Sequence, residues 1–566
     1  MQFQDKYDVV IVGAGPTGFM LALYLARAGI SFLLVDKKSQ VSTIMKATAI
    51  SSVSLECFSD LNYAAPFEQT GIFTHALSVY IEKRPSLHLP WTGIDSKYPY
   101  ACLLGQNYVE KFQYQLLQQM KGDVSWETGF KDYEEKQDQL RVSLEKNGQS
   151  FTVNCQYLIG CDGAKSKVRE KAGIEQKGKK YPSHYMIADV ELDGQFDAKD
   201  WYFFLAKKGF CSVGALPAHR WGILVSLPKN MEYQIGETPT LEFFQQQFNE
   251  LCSIPGTLKN PNWISHFHTY NKSVKQRRRG RVFLCGDAAH QVSPLTSLGM
   301  NSGILDATNL GWKLALVCRK EAKETLLDSY DIEQRQTLKI VKQLSDSNER
   351  SFAMTGALTR EIRDHLTELI LNFKPVMKMF GGILSQTSIR IKKSPIIDEF
   401  IGMPIHLKQD SHYSLHGSCL KAWSTFGKGP AAGKRAPDVY AFLDKENSQP
   451  QWLFDHLLEG RHALIVFSGC EHHHEKQTET IDEILTKTEK HYSKWIKPVL
   501  ILAATEKPEK LQWQGNIFYD HQQMIHQRYG ASASCLYLIR PDRIIGFRSL
   551  PLRWDKLEQY LKRIWQ

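Results

Sequence analysis

From Tyr7 the chain reads YDVVIVGAGPTGFMLALYLARAGISFLLVDKK, an order of residues that leaves a polypeptide few options. An apolar run too short for a helix meets glycines, an amphipathic stretch follows, and a second apolar run ends in an acid; this is strand, turn, helix, strand. Gly13, Gly15 and Gly18 form G-x-G-x-x-G at the junction of the first strand and the helix. The first glycine permits the tight turn, the second lets a pyrophosphate approach the backbone, and the third allows helix and strand to pack closely. The helix start offers unpaired N–H groups and partial positive charge to phosphates. Asp36 closes the second strand at the distance suited to an adenosine ribose. Pro16 and Thr17 inside the turn, and Lys37 beside the acid, complete this part of the candidate site. A glycine triplet alone would speak only for backbone geometry; strands on both sides and the acid make it a dinucleotide signature, without choosing between FAD and NAD.

At 566 residues the chain is too long for one core, and two to four domains are expected. The net charge of +10 is moderate for this length and its two signs are interspersed, which disfavours a nucleic-acid partner. The densest basic cluster, KQRRRGR at 275–281, runs into an apolar strand and reads as a solvated strand entry. Eleven cysteines are scattered without a C-x-x-C pair. That argues against a disulfide framework or zinc site and for a reducing compartment. Asp5 and Asp8 precede the first strand, and no run of about 18 apolar residues occurs that would span a bilayer. A cytoplasmic location is expected, with no metal.

Residues 74–90 and 184–228 are rich in strand formers and aromatics, as in WYFFL and RWGILVSLP, and suggest a mostly antiparallel sheet in a second domain. A further apolar strand, RVFLCGDAAH, begins at Arg281 and leads into the helical pattern MNSGILDATNLGWKLALVCRK, so the nucleotide domain is discontinuous in sequence. Residues 330–380 carry long helical periodicity, and the Gly-, Pro-, Ser- and His-rich stretch beyond 402 reads as a linker. RHALIVFSG, PVLILAAT, ASCLYLIR and RIIGFRS then alternate with helical segments in a separate α/β domain. The expected division is a Rossmann-type domain from 1–73, 100–180 and 275–345; an inserted, mostly antiparallel β substrate domain with associated helices from 74–99, 181–274 and 346–400; a linker at 401–430; and a C-terminal domain at 431–566.

YLIGCDGAKSKVRE (157–170) and GRVFLCGDAAHQVSPLTSLGMNSGILDATNLGWKLA (280–315), with the N-terminal fingerprint, resemble the three motifs of the single-component FAD-dependent aromatic hydroxylases, the family of phenol hydroxylase and para-hydroxybenzoate hydroxylase. KATAISSVSLE (46–56), Gln106 with Glu110, and SYDIEQR (329–335) extend the resemblance. It implies FAD as cofactor, with contacts from Lys46, Gln106, Asp162, Gly163, Gly286 and Asp287, and from the helix start at Gly299, Met300 and Asn301. Read physically, Asp287 just past a buried strand can accept hydrogen bonds from the ribityl chain, or else is a helix N-cap. The helix dipole at 299–301 could face the flavin pyrimidine edge. Asp162 and Gly163, followed by basic Lys165, Lys167 and Arg169, read by themselves as a turn and a solvated helix face. Pro294 can rigidify the loop beside flavin and substrate. His290 is a candidate proton carrier, with a buried structural histidine as the alternative.

Two departures stand out: 296–298 read Thr-Ser-Leu, before Gly299, where relatives carry Gly-Gly-Gln-Gly after the proline, and Val53 replaces a common Arg. GKRAPDVYAF, GRHALIVFSG and YGASASCLYLIRPDRIIGFRS resemble the thioredoxin-like C-terminal domain of phenol and polyketide hydroxylases. Only Cys470 stands near the redox loop, so a structural or homodimer-forming role is expected. His472, His473 and His474 read as an exposed loop rather than a metal site. Of Trp201, Tyr202, Phe203 and Phe204, alternate residues are expected to line the substrate pocket and the core. The resemblance implies that NAD(P)H reduces the flavin and O2 forms a C4a-hydroperoxide that hydroxylates an aromatic or polycyclic phenol. The alternatives are epoxidation or Baeyer–Villiger chemistry, or a flavin-binding regulatory protein with little turnover.

Overall fold

The computed structural model describes residues 4–45, 47–82, 84–91, 93–207, 209–227, 239–352, 378, 381–402, 418–443, 449–470 and 475–565. Lys46 and the histidines at 472–474 lie outside them.

The strand Lys6–Val12 is central in the first sheet, parallel to Phe32–Val35 on one side and Gln149–Gly160 on the other. Val124–Ser125 and Val282–Leu284 extend this parallel set outward. Val9 and Ile11 bury against one core cluster and Val10 and Val12 against another, which is why the strand is a continuous apolar run rather than an alternation. The helices Pro16–Arg27, Gln106–Gln119 and Gly299–Cys318 contribute to the cluster on the Val9 face. Strands far apart in the sequence thus form one mostly parallel sheet, the Rossmann-type arrangement expected.

The second sheet has eight strands in the spatial order 290–291, 256–274, 176–194, 220–227, 209–216, 200–206, 76–81 and 84–90. All its neighbours are antiparallel except the parallel pair 76–81 and 200–206. Helix Leu241–Leu251 covers one face through Phe244 and Phe248, against Tyr202 and Phe204. The other face carries Trp201 and Phe203 with Tyr185 and Leu295, so the four consecutive aromatics divide by strand alternation. Strand Gln176–Gly194 begins inside the stretch read as nucleotide domain and carries the chain straight into this sheet.

In the C-terminal part, His462–Phe467 and Ile496–Leu502 are parallel and joined through helix Glu475–Tyr492; Cys535–Ile539 and Ile545–Leu550 add antiparallel strands, and helix Trp554–Ile564 closes the chain. Asp398–Ile401, at the end of the stretch assigned to the substrate domain, pairs with Ile545–Leu550 of the C-terminal sheet. Ser418–Lys428, within the expected linker, is helical, with Ala422 and Phe426 packed into the C-terminal core. The apolar spacing there is helical; the Gly, Ser and Lys content that suggested a linker sits mainly around it.

The C-terminal sheet is not a separate globule. Leu464, Val466, Leu536 and Leu538 share one core with Leu310, Leu314 and Trp312 of helix Gly299–Cys318. Fully buried Arg540 donates to both oxygens of Glu333 at 2.7 and 2.9 Å, and Lys313 donates to the same carboxylate at 2.9 Å. Burial alone would raise the Glu333 carboxyl, yet Arg540 and Lys313 together hold it far below the usual range. Asp542 accepts from Asn309 at 2.9 Å and from the Trp312 indole at 3.2 Å. Arg543 grips Asp60, with its closest contact at 2.7 Å, and Arg435 pairs with Glu56.

Candidate active site

Three motifs separated by well over a hundred residues meet because their strands are neighbours. Gly13 ends the central strand, Cys161 and Asp162 follow its parallel neighbour, and Cys285, Gly286 and Asp287 follow the next. All three turns therefore open at the C-terminal edge of one parallel sheet, where a crevice for ligands arises. Gly13 has φ +106°, and a Cβ there would lie 2.4 Å from the Cys161 carbonyl oxygen. A Cβ on Gly18 would lie 1.9 Å from the Gly13 oxygen. At Gly15 a Cβ would meet nothing within 4 Å. Two glycines are thus required by the protein's own packing, while the space before Gly15 stays open for a ligand.

Asp36 is buried and both its oxygens are engaged: Oδ2 accepts from Ala14 N at 2.8 Å and Oδ1 from Lys38 N at 2.9 Å. The acid braces the glycine turn, at the position expected of a ribose acceptor. Lys37 is exposed beside it. Buried Glu110 ties the helix Gln106–Gln119 to this corner, accepting from the Gln106 amide at 2.8 Å and from Ser42 N at 3.0 Å, with Lys38 Nζ at 3.6 Å. Gln113 donates to the Pro16 carbonyl at 2.9 Å, which anchors the turn from below. Asp162 is occupied by its own loop, accepting from Ser166 Oγ at 2.5 Å and Val168 N at 3.2 Å. Its burial pushes the carboxyl up. Gly163, at φ +80°, has open space where a side chain would stand. The turn reading accounts for Asp162 at this level, and Gly163 leaves the adjoining backbone approachable.

Asp287 is exposed between buried Gly286 and Ala288, just past the strand end. Gly286 has φ +59°, and a Cβ there would press on Thr17 Oγ1 at 2.6 Å. Beneath it lies a network that the linear sequence does not disclose. Asp306, two turns into helix Gly299–Cys318, accepts from Gly286 N at 3.0 Å, from Arg277 Nη1 at 2.7 Å, and bonds His290 Nε2 at 2.8 Å. All three side chains are at most 2 % exposed. Burial opposes the Asp306 charge, but Arg277 and His290 hold its carboxyl below the ordinary range. Arg277 is therefore an interior residue, unlike Lys275 and Arg279 beside it, and corrects the reading of the basic cluster as wholly solvated. His290 points inward to this carboxylate, the arrangement of the structural alternative.

The helix Gly299–Cys318 starts from a loop in which Ser293 caps Leu295, Pro294–Thr296 forms a single tight turn, and Ser297 adopts a left-handed φ of 53°. Asn301 uses its side chain to staple the loop to residues 49–51, accepting from Ser51 N at 2.9 Å and donating to Ala49 O at 3.1 Å and Ser297 O at 2.8 Å. Gly299 and Met300 are partly exposed at the helix start. Their N–H groups, with no preceding turn to bond to, form the positive end of a 20-residue helix.

A family model described as FAD binding domain matches residues 6–345, more than half of the chain. The chain belongs to this family. Pentachlorophenol 4-monooxygenase of Sphingobium chlorophenolicum is 27% identical over 563 residues, covering 97% of this chain and 95% of the relative. 6-Methylpretetramide 4-monooxygenase of Streptomyces rimosus is 28% identical, over 58% of this chain and 59% of the relative. Among solved structures, the OxyS anhydrotetracycline hydroxylase from Streptomyces rimosus superposes with a TM-score of 0.72 at 20% identity over 99% of both chains. The flavin-dependent monooxygenase PieE, solved with FAD and substrate, gives 0.73 at 20% identity over 99% of both chains, so the likeness of fold includes the C-terminal part.

FAD is the cofactor, and the donor set fits it: open backbone at Gly15 for the pyrophosphate, Asp36 at the ribose end, exposed Asp287 at the strand end, and a positive helix terminus at 299–300. On the far side, the second sheet approaches the nucleotide domain closely enough that a Cβ on Gly222 would lie 3.1 Å from Thr48 Cγ2, and one on Gly214 2.8 Å from Leu103 Cδ1. This face carries Trp201, Phe203, Leu224, Trp263 and Phe267, all partly exposed, around buried Tyr185 and Ile187. Arg277 and Asp306 were missed in the sequence, and Glu110 was read only as part of the family resemblance. An acid seven residues after the Gly299 start, inside an otherwise apolar helix pattern, was the one available signal for Asp306.

Proposed function

We propose that this protein is an FAD-dependent monooxygenase that draws on NAD(P)H and O2 to hydroxylate an aromatic or polycyclic phenol. The observation that carries the reading is the aromatic face of the second sheet, set opposite the flavin-binding edge with the Pro294 loop at their junction. Bound FAD would supply hydride acceptance and oxygen activation. The chain supplies binding and orientation: Trp201, Phe203 and Phe267 offer flat apolar surface to a ring, and burial by the two domains excludes water from the reacting atoms. The helix start at 299–300 stabilises negative charge on its neighbour. His290 and Asp306 act as positioning residues, holding Gly286 and thereby the Asp287 turn; Pro294 shapes the loop next to the substrate.

Among the described residues no helix is long and apolar enough to cross a membrane. The ten cysteines whose side chains are described are free thiols, which accords with the cytoplasmic location we assign. The parallel pair, antiparallel pair and closing helix of the C-terminal domain support a thioredoxin-like reading, with Cys470 alone near the expected redox loop and hence no redox role. Homodimer formation remains part of the proposal.

Purified protein should be yellow, and a panel of phenols should accelerate NAD(P)H oxidation with formation of hydroxylated product. Yellow protein that yields no oxygenated product across a broad panel would sink the reading. Asp287→Ala should lower FAD affinity by about 10- to 100-fold, the loss of one or two charge-assisted hydrogen bonds; stoichiometric flavin retained through dialysis would show that Asp287 does not hold the cofactor.

A further inference from the structure

The seam between the nucleotide and C-terminal domains opens into a cleft at one end. Strands His462–Phe467 and Ile496–Leu502 are parallel, with His462 beside Ile496, so the residues just before them, Arg461, Lys494 and Trp495, stand together. Helices Pro16–Arg27 and Gly299–Cys318 end at the same place and bring Arg27 and Arg319. The cleft has a volume of about 160 Å³, and Trp312, Leu316 and His462 line its inner wall. It lies at the opposite end of a 20-residue helix from Gly299, about 30 Å from the flavin-binding edge at 1.5 Å per residue.

Charge in this cleft does not balance. Arg319 and Lys494 share Glu321, at 3.3 and 2.7 Å, and Arg461 and Lys497 share Glu459, at 3.1 and 2.5 Å. Among the described residues Arg27 has no carboxylate partner: its Nη1 donates to the Asp60 carbonyl at 2.9 Å and its guanidinium lies 4.7 Å from the Tyr24 ring centre, leaving Nε and Nη2 without an acceptor. Gly460 makes room for it, since a Cβ there would lie 3.3 Å from Arg27 Nε. Five cations thus meet two carboxylates. The two helix ends add about half a negative charge each, one of them met by Arg319, which donates to the Ala28 carbonyl at 3.4 Å. About two positive charges remain uncompensated. His462 supplies a second, independent observation. It is 2 % exposed and its Nε2 has no hydrogen-bond partner, which in a protein interior calls for a reason. Burial and the Arg540 charge keep the ring neutral, so it has one N–H to offer an oxygen.

We propose that this cleft binds a phosphate monoester, held between the two domains. Such a group carries about two negative charges near neutral pH, which matches the surplus. Arg27 and Arg319 of the nucleotide domain and Arg461 of the C-terminal domain offer planar forks to its oxygens, and Lys494 adds a point charge. The apolar wall of Trp312 and Leu316 receives the carbon-bearing side of the ester, which favours an ester over free phosphate. Since the cations come from both domains, occupancy draws the domains together. The ligand sits too far from the flavin edge to exchange a hydride with it, so its effect is on how the C-terminal domain is held.

This site does not depend on which reaction the flavin supports. FAD-loaded protein, with its nucleotide site filled, is titrated by calorimetry in phosphate-free buffer at low salt with ribose 5-phosphate, inorganic phosphate and malonate. Ribose 5-phosphate should bind at a single site per chain with a dissociation constant below about 1 mM and raise the melting temperature; phosphate and malonate should bind more weakly. Arg27→Gln and Arg461→Gln should each weaken ribose 5-phosphate binding by about 10- to 100-fold with flavin content unchanged. If Arg27→Gln does not fold, Lys494→Gln, whose parent side chain is 65 % exposed, takes its place and should show the same direction of change. No saturable heat with ribose 5-phosphate up to about 10 mM, or an affinity unchanged in the variants, overturns the proposal. Malonate binding as tightly as ribose 5-phosphate overturns the assignment to phosphate, and free phosphate binding as tightly overturns the assignment to an ester.

Discussion

At the scale of single residues, the three glycines of the nucleotide turn separate into two jobs. Gly13 and Gly18 face backbone at 2.4 and 1.9 Å from where a Cβ would sit, whereas Gly15 faces open space. Gly13→Ala or Gly18→Ala should therefore prevent folding of the nucleotide domain, seen as insoluble or protease-sensitive protein. Gly15→Ala should leave the melting temperature of the apoprotein within about a degree and weaken only FAD binding, a split readable by flavin fluorescence on titration. Equal damage from all three substitutions would contradict this division. Ser297 makes the opposite point. Its left-handed φ of 53° is the conformation glycine adopts at no steric cost, so Ser297→Gly should stabilise the folded loop by up to about 1 kcal/mol unless chain entropy offsets it. A raised melting temperature of the apoprotein is the expected reading, and a clear fall would show that the hydroxyl side chain matters more than the backbone.

Among elements, the helix Gly299–Cys318 joins every part of the molecule. Its start lies at the proposed flavin site, Asp306 holds the Gly286 turn, Asn309 and Trp312 bond Asp542 of the C-terminal domain, and Lys313 meets Glu333, which Arg540 of that domain also holds. Arg540→Met would leave Glu333 buried with Lys313 alone, which should cost about 3–5 kcal/mol. Adding Glu333→Gln should recover part of that loss in thermal unfolding; no recovery would mean that Arg540 acts by packing alone. This helix and the first strand, turn and helix were legible in the sequence because period, glycine spacing and flanking strands agree there. The helix Ser418–Lys428 was hidden by its polar surroundings, and the Arg277, Asp306 and His290 network by distance along the chain. Buried charges reveal themselves only through partners, and the partners of Arg277 come from positions 306 and 334.

For the whole molecule, the seam between the nucleotide and C-terminal domains should set the acid limit. His462 packs edge-on against Trp312 and Trp565, and burial with the nearby Arg540 charge lowers its ionisation from 6.5 to about 3. The folded protein thus keeps His462 neutral where an unfolded chain would protonate it. That contribution is complete above about pH 6.5 and is lost as pH falls toward 3, at about 1.4 kcal/mol per pH unit within the window. His462→Gln should flatten the dependence of melting temperature on pH between 7.5 and 5; an unchanged slope would place the acid-sensitive step elsewhere. The sequence showed that two α/β parts exist but not that they share a core, since Trp312 and Leu538 carry no mark of being neighbours.

The discontinuity of the nucleotide sheet also orders events during synthesis. When the first strand and glycine turn leave the ribosome, the strand bearing Asp287 has yet to be made, so the nascent chain has phosphate-binding backbone but no complete flavin cradle. Glu333, paired first with Lys313, then waits for Arg540, 207 residues later, to complete its ion pairs. Cofactor capture therefore awaits the strand and helix start at 282–301, and the seam that backs that helix closes only when the last strands are made.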